Sequence, residues 1–354
     1  MNGNYNEIIS KISLIIKDYK YLPEEVDRES IASIDLHVEK WISQFDLEDR
    51  NFVLEHTYNL LSENYYSESR YDDLLRNVAR DKKNKKHFMS DCFVSIQSHG
   101  GSQNEITGKL NNFIQNENNL SLPVLSLGNV NADFSKFKFI TYLDDFSFSG
   151  KLIGDDIEKI ITDLNLNNVN IRILIFLAHS QGFYNLKRRL YDFVKDNELD
   201  IHFHFNRRFW GDVNNSISYD YSCNTSIYFP ELVTCNEVLE EKGLLGTELY
   251  QPNYFRNGSN DKCILGNESD RRRIEKLFSS IGFNIISNST SPKKSMKPLG
   301  FSTYRGFGFG GNVFSYRNCP NNTPLVFWWG SYEETGNAAI DCWYPLMKRR
   351  GYYA

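Results

Sequence analysis

The sequence is poor in the features that mark metal-binding, secreted and membrane proteins. Its 354 residues include six cysteines, which are widely spread and form no CxxC pair. Zinc fingers and ribbons need such closely spaced ligands, so the sequence gives no sign of a structural zinc site. Its uncharged apolar runs are all shorter than the roughly 20 residues that a membrane-spanning helix requires. The N-terminal segment lacks the basic start and unbroken apolar core of a secretion signal. We therefore expect a cytoplasmic protein with reduced thiols and no membrane segment.

The sequence also lacks an overall excess of positive charge. Its formal net charge is −5, with 40% hydrophobic and 24% charged residues, a mixture typical of soluble globular proteins. A chain of this charge does not attract nucleic acid over its whole surface. Residues 80–86 are the local exception, because five of these seven residues are basic. We interpret them as a solvated connector, with a patch that contacts phosphate or nucleic acid as the alternative.

Three segments with different patterns follow one another along the chain. Residues 1–88 have apolar residues at helical spacing and predict a helical region. In residues 89–235, short apolar runs alternate with helical stretches, which is the pattern of βαβ units. The fold predicted for this core is α/β, a mostly parallel sheet with helices on both faces. Residues 236–354 have one amphipathic helix and many glycines and aromatic residues, and we expect an irregular α+β cap there.

Two adjacent acids, Asp144 and Asp145, stand where an apolar run ends in the sequence FITYLDDFSFSGKL. Ligands of open α/β sheets bind beyond the carboxyl ends of the strands. The turn after the acids offers hydroxyls and a glycine, and the helix predicted from Gly150 directs its N-terminus at the same place. Both features favour a bound phosphate, while the carboxylates suit diol hydroxyls or a magnesium ion. The alternative is a structural turn in which Ser149 caps the helix.

This stretch resembles the phosphoribosyl-pyrophosphate motif of the phosphoribosyltransferases, in which two acids precede a turn that ends in Thr/Ser-Gly. The resemblance implies that Asp144 and Asp145 face the ribose hydroxyls and act with Mg²⁺ that accompanies phosphoribosyl pyrophosphate. It also implies that the 5′-phosphate is held by a turn made of Ser147, Phe148, Ser149, Gly150 and Lys151. Leu152 stands where the family usually has a second hydroxyl residue.

The family also has a short pyrophosphate-binding loop after an earlier strand. The resemblance assigns that loop to Ser98, His99, Gly100, Gly101 and Ser102. Glycines permit the unusual backbone conformations that such a loop often needs. The loop has no arginine or lysine to neutralise departing pyrophosphate, and the connection LGNVNADFSK is short for a mobile catalytic lid. Two interpretations therefore stay open: a glycosyltransferase, and a non-catalytic module that senses the same ligand.

The arrangement of the whole sequence resembles a narrower group. A helical front with KWISQFD, the acid-and-turn core, and a tail with CPNNTPLVFWW and WYPLMKRR are similar to phosphoribosyltransferase-like proteins of prokaryotic conflict systems, including effectors of retrons and other anti-phage loci. The resemblance implies a defence effector whose transferase-like domain acts on, or senses, a nucleotide. It also implies a protein or nucleic-acid partner in a defence complex.

Two other motifs give competing hypotheses. The segment LAHSQGF places Ser180 between a predicted strand and a helix, similar to the nucleophile elbow of α/β-hydrolases. A hydrolase of that class also needs a later histidine, and His202 and His204 are the only two that follow. Both lie in a predicted strand on the same face, so we interpret them as strand residues and not as a triad member or metal pair. A helix cap is the preferred role for Ser180.

Overall fold

A computed structural model of the protein describes residues 2–96, 102–126, 134–214, 225–250, 265–303 and 306–349. The chain forms two compact units. Residues 1–69 together with 215–354 form one unit, and residues 70–214 form the other. The three consecutive segments of the sequence analysis describe an order along the chain, and their boundaries stay a prediction. By contacts, most of the helical front belongs to the same unit as the C-terminal segment.

The secondary structure starts with helices and then alternates between strands and helices. The first elements are α1 (Asn2–Ile16), α2 (Ile31–Ile42), α3 (Arg50–Asn64), the short strand β1 (Tyr65–Tyr66), α4 (Glu68–Arg80) and α5 (Lys82–Ser90). The middle elements are β2 (Asp91–Ser95), α6 (Ser102–Asn118), β3 (Val124–Ser126), β4 (Phe139–Ser147), α7 (Lys151–Asp163), β5 (Val169–His179), α8 (Ser180–Asp196) and β6 (Ile201–Asn214). The last are β7 (Thr225–Ser226), α9 (Leu232–Glu241), α10 (Glu268–Ser287), β8 (Phe314–Ser315), α11 (Leu325–Trp328) and α12 (Ala338–Asp341). Across the described ranges, no helix is long and apolar enough to span a membrane.

The unit of residues 70–214 is built on a parallel sheet. Its strands lie in the order β3-β2-β4-β5-β6, and every neighbouring pair is parallel. This confirms the predicted α/β fold with a mostly parallel sheet, flanking helices and helices before the core. Ser147 of β4 pairs with Ala178 of β5, so both strands end at the same edge, the carboxyl edge. Asp91 and Phe139 pair at the opposite, amino edge.

Both faces of the central strand β5 are buried. Ile171, Ile173 and Ile175 pack with apolar residues of α7 and α8 in one core cluster. The alternate residues Arg172 and Phe176 are buried as well, on the face where residues of α4, α5 and α6 lie against the sheet. A parallel strand covered on both faces reads as a nearly continuous apolar run. This burial explains the sequence IRILIFLA.

The other unit has an aromatic core. Trp41 of α2 is fully buried, donates its indole N–H to the Val326 carbonyl at 2.8 Å and stacks on Phe327 of α11. Phe278 of α10 packs edge-on against the same Phe327 ring. Trp328 is also buried. The aromatic tail of the sequence therefore packs within its own unit, because its rings fill the space between helices of that unit.

The basic stretch of residues 80–86 is helical, which corrects the prediction of a connector. Arg80 ends α4, and Asp81 then caps α5, where its carboxylate accepts the Lys83 N–H at 2.8 Å. Such a bond satisfies one of the N–H groups that the first helical turn leaves without a partner. The four lysines of α5 are exposed, as predicted for a solvated stretch.

Candidate functional site

The two acids of the motif lie inside β4 and not beyond its end, since the strand continues through residue 147. Neighbouring side chains of a strand point to opposite faces of the sheet, so the two carboxylates diverge. Asp144 lies on the side of α7, close enough to Asp156 for their charges to interact. Asp145 lies on the side of α4, where its Oδ2 accepts a hydrogen bond from the Tyr71 hydroxyl at 3.3 Å. The two acids therefore have different further neighbours, although their side chains still interact with each other.

Asp144 is enclosed and surrounded by other acids. Only 2% of the residue is exposed, and its Oδ1 accepts the Asp145 N–H at 2.9 Å. Burial, followed by the charges of Asp145 and Asp156, raises the pKa of Asp144 well above its ordinary value. Desolvation and like charges both disfavour the ionised form of a carboxyl group. Asp144 is thus held towards its neutral form at neutral pH.

The turn after β4 begins helix α7 through a glycine. Gly150 is the N-cap residue and has a φ of 74°, which a residue without a side chain adopts readily. The Ser149 hydroxyl accepts the Lys151 N–H at 3.2 Å and makes no N-cap bond of the usual kind. The predicted alternative in which Ser149 is the cap residue is therefore wrong in that detail. The first-turn N–H groups of α7 have no partner inside the helix, which is the arrangement that favours an anion.

A second helix begins directly beside this turn. At Gly182, near the start of α8, an added Cβ would lie 1.7 Å from the Phe148 carbonyl oxygen. At Gly150, an added Cβ would lie 2.8 Å from the Gly182 carbonyl oxygen. The backbones of the turn and of α8 can approach this closely only because both residues are glycine. Two helix N-termini, those of α7 and α8, therefore meet at the carboxyl edge of β4 and β5.

The glycine of LAHSQGF is a packing residue, and the histidine of the same segment caps α8. His179 Nδ1 accepts the Gly182 N–H at 3.2 Å, so the prediction that Ser180 caps the helix is wrong. Burial lowers the pKa of His179 to about 4. The imidazole is consequently neutral at physiological pH, which leaves Nδ1 able to act as an acceptor.

Ser147 is the buried hydroxyl of the site. It is 4% exposed, and its Oγ has no hydrogen-bond partner. By strand alternation it lies on the same face as Asp145, two residues earlier. A buried hydroxyl without a partner costs free energy that a ligand oxygen could recover. The arrangement therefore offers a carboxylate and a hydroxyl on one face, beside two helix N-termini.

The residues at this edge fit magnesium only when the metal arrives with a ligand. Magnesium prefers oxygen ligands and is usually held by one or two carboxylates together with substrate phosphates. Asp144 and Asp145 supply carboxylates, and the Ser147 Oγ is a nearby buried oxygen. In the part of the chain that the structure describes, no three His, Cys, Asp or Glu side chains form a group that could hold a metal ion. A magnesium ion here would take its remaining ligands from phosphate, ribose and water.

The other residues predicted for the site have different surroundings. Phe148 is buried, so it offers its backbone and not its ring. Lys151 is exposed and forms an ion pair with Asp155 one turn along α7. Residues 98–101 of the predicted pyrophosphate loop lie outside the described residues, and Ser102 is the first residue of α6. The assignment of that loop stays a prediction.

The competing motifs are not assembled into sites. Val169 pairs with Ile201 at the start of β5 and β6, so His202 and His204 lie towards the amino edge. Ser180 follows the carboxyl end of β5, which has 11 residues, so these histidines and Ser180 lie at opposite edges. Both histidines lie on one face, as predicted. They are exposed, and His204 packs edge-on against the Phe139 ring. The arrangement offers no support for a serine hydrolase.

A parallel sheet with buried acids and a glycine turn at its carboxyl edge is the arrangement expected of a phosphoribosyltransferase-like α/β protein. The comparison with protein families agrees: the model of the PRTase-CE family matches residues 38–349, so the chain belongs to the PRTase-CE family. No curated protein matches the sequence.

Proposed function

We propose that the carboxyl edge of β4 and β5 binds a 5-phosphoribosyl or nucleotide ligand. One observation carries this proposal: Asp145 and the Ser147 hydroxyl, which has no partner, share a face beside the point where the N-termini of α7 and α8 meet. Helix N-termini and tight glycine turns favour phosphate through unpaired amide donors and the helix dipole. The carboxylates provide acceptors for vicinal hydroxyls. A phosphorylated ribose combines both groups in one molecule.

In this proposal Asp144 and Asp145 form the ribose side of the site. The turn from Ser147 through Lys151 surrounds the 5′-phosphate, and the loop of residues 98–102 faces pyrophosphate. Mg²⁺, when it arrives with the ligand, would neutralise charge on the pyrophosphate oxygens. The protein's own groups would position the ribose and exclude water from the buried carboxyl edge.

The proposed reaction is glycosyl transfer at the anomeric carbon of the 5-phosphoribosyl donor. The bond from that carbon to the pyrophosphate oxygen breaks, a bond to the acceptor forms, and pyrophosphate leaves with the electron pair. Such a site stabilises a cation-like ribosyl group by charge and needs no protein nucleophile. We further propose that the protein is an effector of a bacterial anti-phage defence system, as the resemblance of its front and tail segments implies.

The second candidate is a non-catalytic module that senses the same ligand for a defence complex. Two sequence features favour it: the loop at residues 98–102 has no arginine or lysine, and Leu152 replaces a usual hydroxyl residue. Each removes a group expected to contact phosphate or pyrophosphate. Release of labelled pyrophosphate from phosphoribosyl pyrophosphate separates the two candidates, because only the transferase liberates it.

Calorimetry with phosphoribosyl pyrophosphate and Mg²⁺ tests the site itself. The double variant Asp144→Asn/Asp145→Asn should lose at least ~2 kcal/mol of binding free energy, about thirtyfold in affinity, since it loses charged hydrogen bonds. Asp192→Asn/Asp196→Asn, which changes two exposed acids of α8, is the matched control and should bind as the wild type does. Equal binding by both double variants, or no binding by the wild type, would refute the proposal.

A further inference from the structure

The short helix α5 concentrates exposed positive charge. Its nine residues include four lysines, Lys82, Lys83, Lys85 and Lys86, and all four are exposed. Phe88 is its buried anchor, and Asp81 fixes its start. Packing of Phe88 and capping by Asp81 therefore fix the backbone from which the basic side chains extend.

These four lysines have no ion-pair partner among the described carboxylates, whereas several other lysines of the protein have one. Lys11 pairs with Glu7, Lys109 with Asp72, and Lys159 with Asp163. By contrast, no described carboxylate lies within ion-pair distance of the four α5 lysines. Their charge is left for solvent or for a partner outside this chain.

The positive surface continues from α5 onto the amino edge of the sheet. The Lys138 N–H donates to the Ser90 carbonyl at 2.7 Å, which places Lys138 beside the end of α5, and its side chain is exposed. Burial, then the charge of Arg172 and, more weakly, that of Lys138, lower the pKa of His87. His204 has its pKa lowered by burial and then by the same Arg172.

Not all of these groups contribute net charge. Arg172 forms a buried ion pair with Asp91, and the lowered pKa values keep His87 and His204 largely neutral near pH 7. The positive charge of the surface therefore comes from Lys138 and the four lysines of α5. We call these five residues the amino-edge lysines.

The amino-edge lysines are separate from the proposed ribose-phosphate site. Lys138 directly precedes β4, and the candidate turn follows the same strand. At roughly 3.3 Å per residue, the nine residues of β4 separate Lys138 from that turn by about 25–30 Å. The cavity between α5 and the sheet, lined by Phe88, Arg172 and Phe176 among others, has room for little more than a water molecule. Any partner must therefore bind on the surface.

We propose that the amino-edge lysines bind the phosphodiester backbone of a nucleic acid. Lysines that neutralise phosphates release condensed counterions, which favours binding irrespective of base sequence. A membrane surface fits less well, because an interfacial helix needs a broad apolar face. On α5, Phe88 is buried and Met89 is the exposed large apolar residue. A phosphodiester chain needs only the repeated positive charge that α5 offers.

Fluorescence anisotropy with a labelled 24-nucleotide single strand and the matching duplex tests this proposal. For the full-length protein we expect dissociation constants of roughly 10⁻⁴–10⁻⁶ M at physiological salt, tightening as salt is lowered. The variant Lys82→Gln/Lys83→Gln/Lys85→Gln/Lys86→Gln should bind at least tenfold more weakly at low salt. Its slope of log K against log salt should flatten by about 3 for the single strand and about 3.5 for the duplex. Whichever of the two, single strand or duplex, the wild type binds more tightly is the nucleic acid that the surface prefers.

The matched control removes four exposed lysines that are not among the amino-edge lysines. Lys17→Gln/Lys195→Gln/Lys293→Gln/Lys294→Gln has the same change in net charge, and it should bind nucleic acid as the wild type does. Circular dichroism and the melting temperature show whether each variant is folded. The proposal is overturned if the wild type binds neither nucleic acid at 50 mM salt, if both variants lose affinity equally, or if the α5 variant loses binding only to anionic phospholipid vesicles.

Discussion

Asp91 and Asp144, two buried aspartates at opposite edges of the same sheet, have opposite electrostatic surroundings. Asp91, at the amino edge, is fully buried, forms an ion pair with Arg172, and accepts hydrogen bonds from the hydroxyls of Ser90 and Thr141. Asp144, near the carboxyl edge, is almost as deeply buried, but its charged neighbours are Asp145 and another acid, and its pKa is raised. One acid is neutralised by the protein, and the other is held towards its neutral form.

The difference separates a structural acid from a candidate functional one. Burying a charge is costly unless it is paired and hydrogen-bonded, and the protein meets that cost for Asp91 with an arginine. At the carboxyl edge it places acids together instead, which raises the pKa of one of them. Groups with pKa values shifted by burial and like charges cluster at functional sites. The comparison therefore supports the proposed ligand site at the carboxyl edge and gives Asp91 a structural role.

The largest effect is expected from breaking the neutralised pair. Arg172→Met leaves the carboxylate of Asp91 buried without its cation, and we expect a loss of about 3–5 kcal/mol in the free energy of unfolding. Urea denaturation followed by circular dichroism measures it. Arg188→Gln, at an exposed arginine of α8, is the control and should change stability by less than ~0.5 kcal/mol.

The double variant Asp91→Leu/Arg172→Met sharpens this first prediction. Removing both charges eliminates the uncompensated carboxylate, so the double variant should be more stable than Arg172→Met alone. A double variant that is less stable than the single one would show that the pair acts through packing, for instance through the contact of Arg172 with the Phe139 ring at 3.8 Å.

The second prediction concerns the close approach of the turn after β4 to the start of α8. In Gly182→Ala the new methyl group would collide with the Phe148 carbonyl, so α8 must move away from the turn. We expect a loss of about 3 kcal/mol in stability together with weaker binding of phosphoribosyl pyrophosphate. Gly108→Ala in α6 is the matched control, because an added methyl group there meets nothing within 4 Å. It should be neutral or stabilising by up to ~1 kcal/mol, and equal losses in both variants would contradict the packing argument.

The fold was predictable because its signals are local. Alternating apolar runs and amphipathic helices report strands and helices directly, and the acids with the glycine turn lie within one short stretch of sequence. The N-cap signal of α5 was present but not used: Asp81, a preferred N-cap residue type, precedes the basic stretch that we interpreted as a connector. In LAHSQGF a helix cap was predicted but assigned to Ser180, because serine is a more usual N-cap residue than the histidine that precedes it.

The partners of the buried acids were not predictable, because they come from distant parts of the chain. Tyr71 donates to Asp145 across 74 positions, and Asp91 meets Arg172 across 81. Period two explains why Asp144 and Asp145 diverge, but only once the strand is known to continue through both acids. The sequence pattern placed the end of the apolar run at the acids, which suggested that the strand ended there.

The third prediction compares single substitutions at Asp144 and Asp145. Asp145→Asn should weaken binding of phosphoribosyl pyrophosphate with Mg²⁺ by about 2 kcal/mol, since a charged acceptor on the face of Ser147 is lost. Asp144→Asn should weaken it by less than ~0.5 kcal/mol, because an amide resembles the neutral carboxylic acid in shape and still accepts the Asp145 N–H. Calorimetry on both variants measures the difference. A larger loss for Asp144→Asn would mean that the more deeply enclosed acid is the one that contacts the ligand.

The smallest effect concerns stability and has a definite sign with pH. A carboxyl group whose pKa is raised in the folded protein binds a proton more tightly there than in the unfolded chain, where its pKa is about 3.9. Its favourable contribution is fully present below that pH and is lost as the pH rises through the raised value.

Asp144→Asn removes the cost of ionising a buried carboxyl group. The stability of the variant relative to the wild type should therefore increase as the pH rises. We expect similar unfolding free energies near pH 4 and an advantage for the variant on the order of 1 kcal/mol at pH 7.5. Urea denaturation at pH 4.5, 6.0 and 7.5 measures the trend, with the exposed Asp192→Asn as a control whose difference from the wild type should not vary. If the wild type were the more stable protein at pH 7.5, Asp144 would be ionised and held by favourable contacts. The contrast with Asp91 would then disappear, because both edges of the sheet would stabilise a charged aspartate.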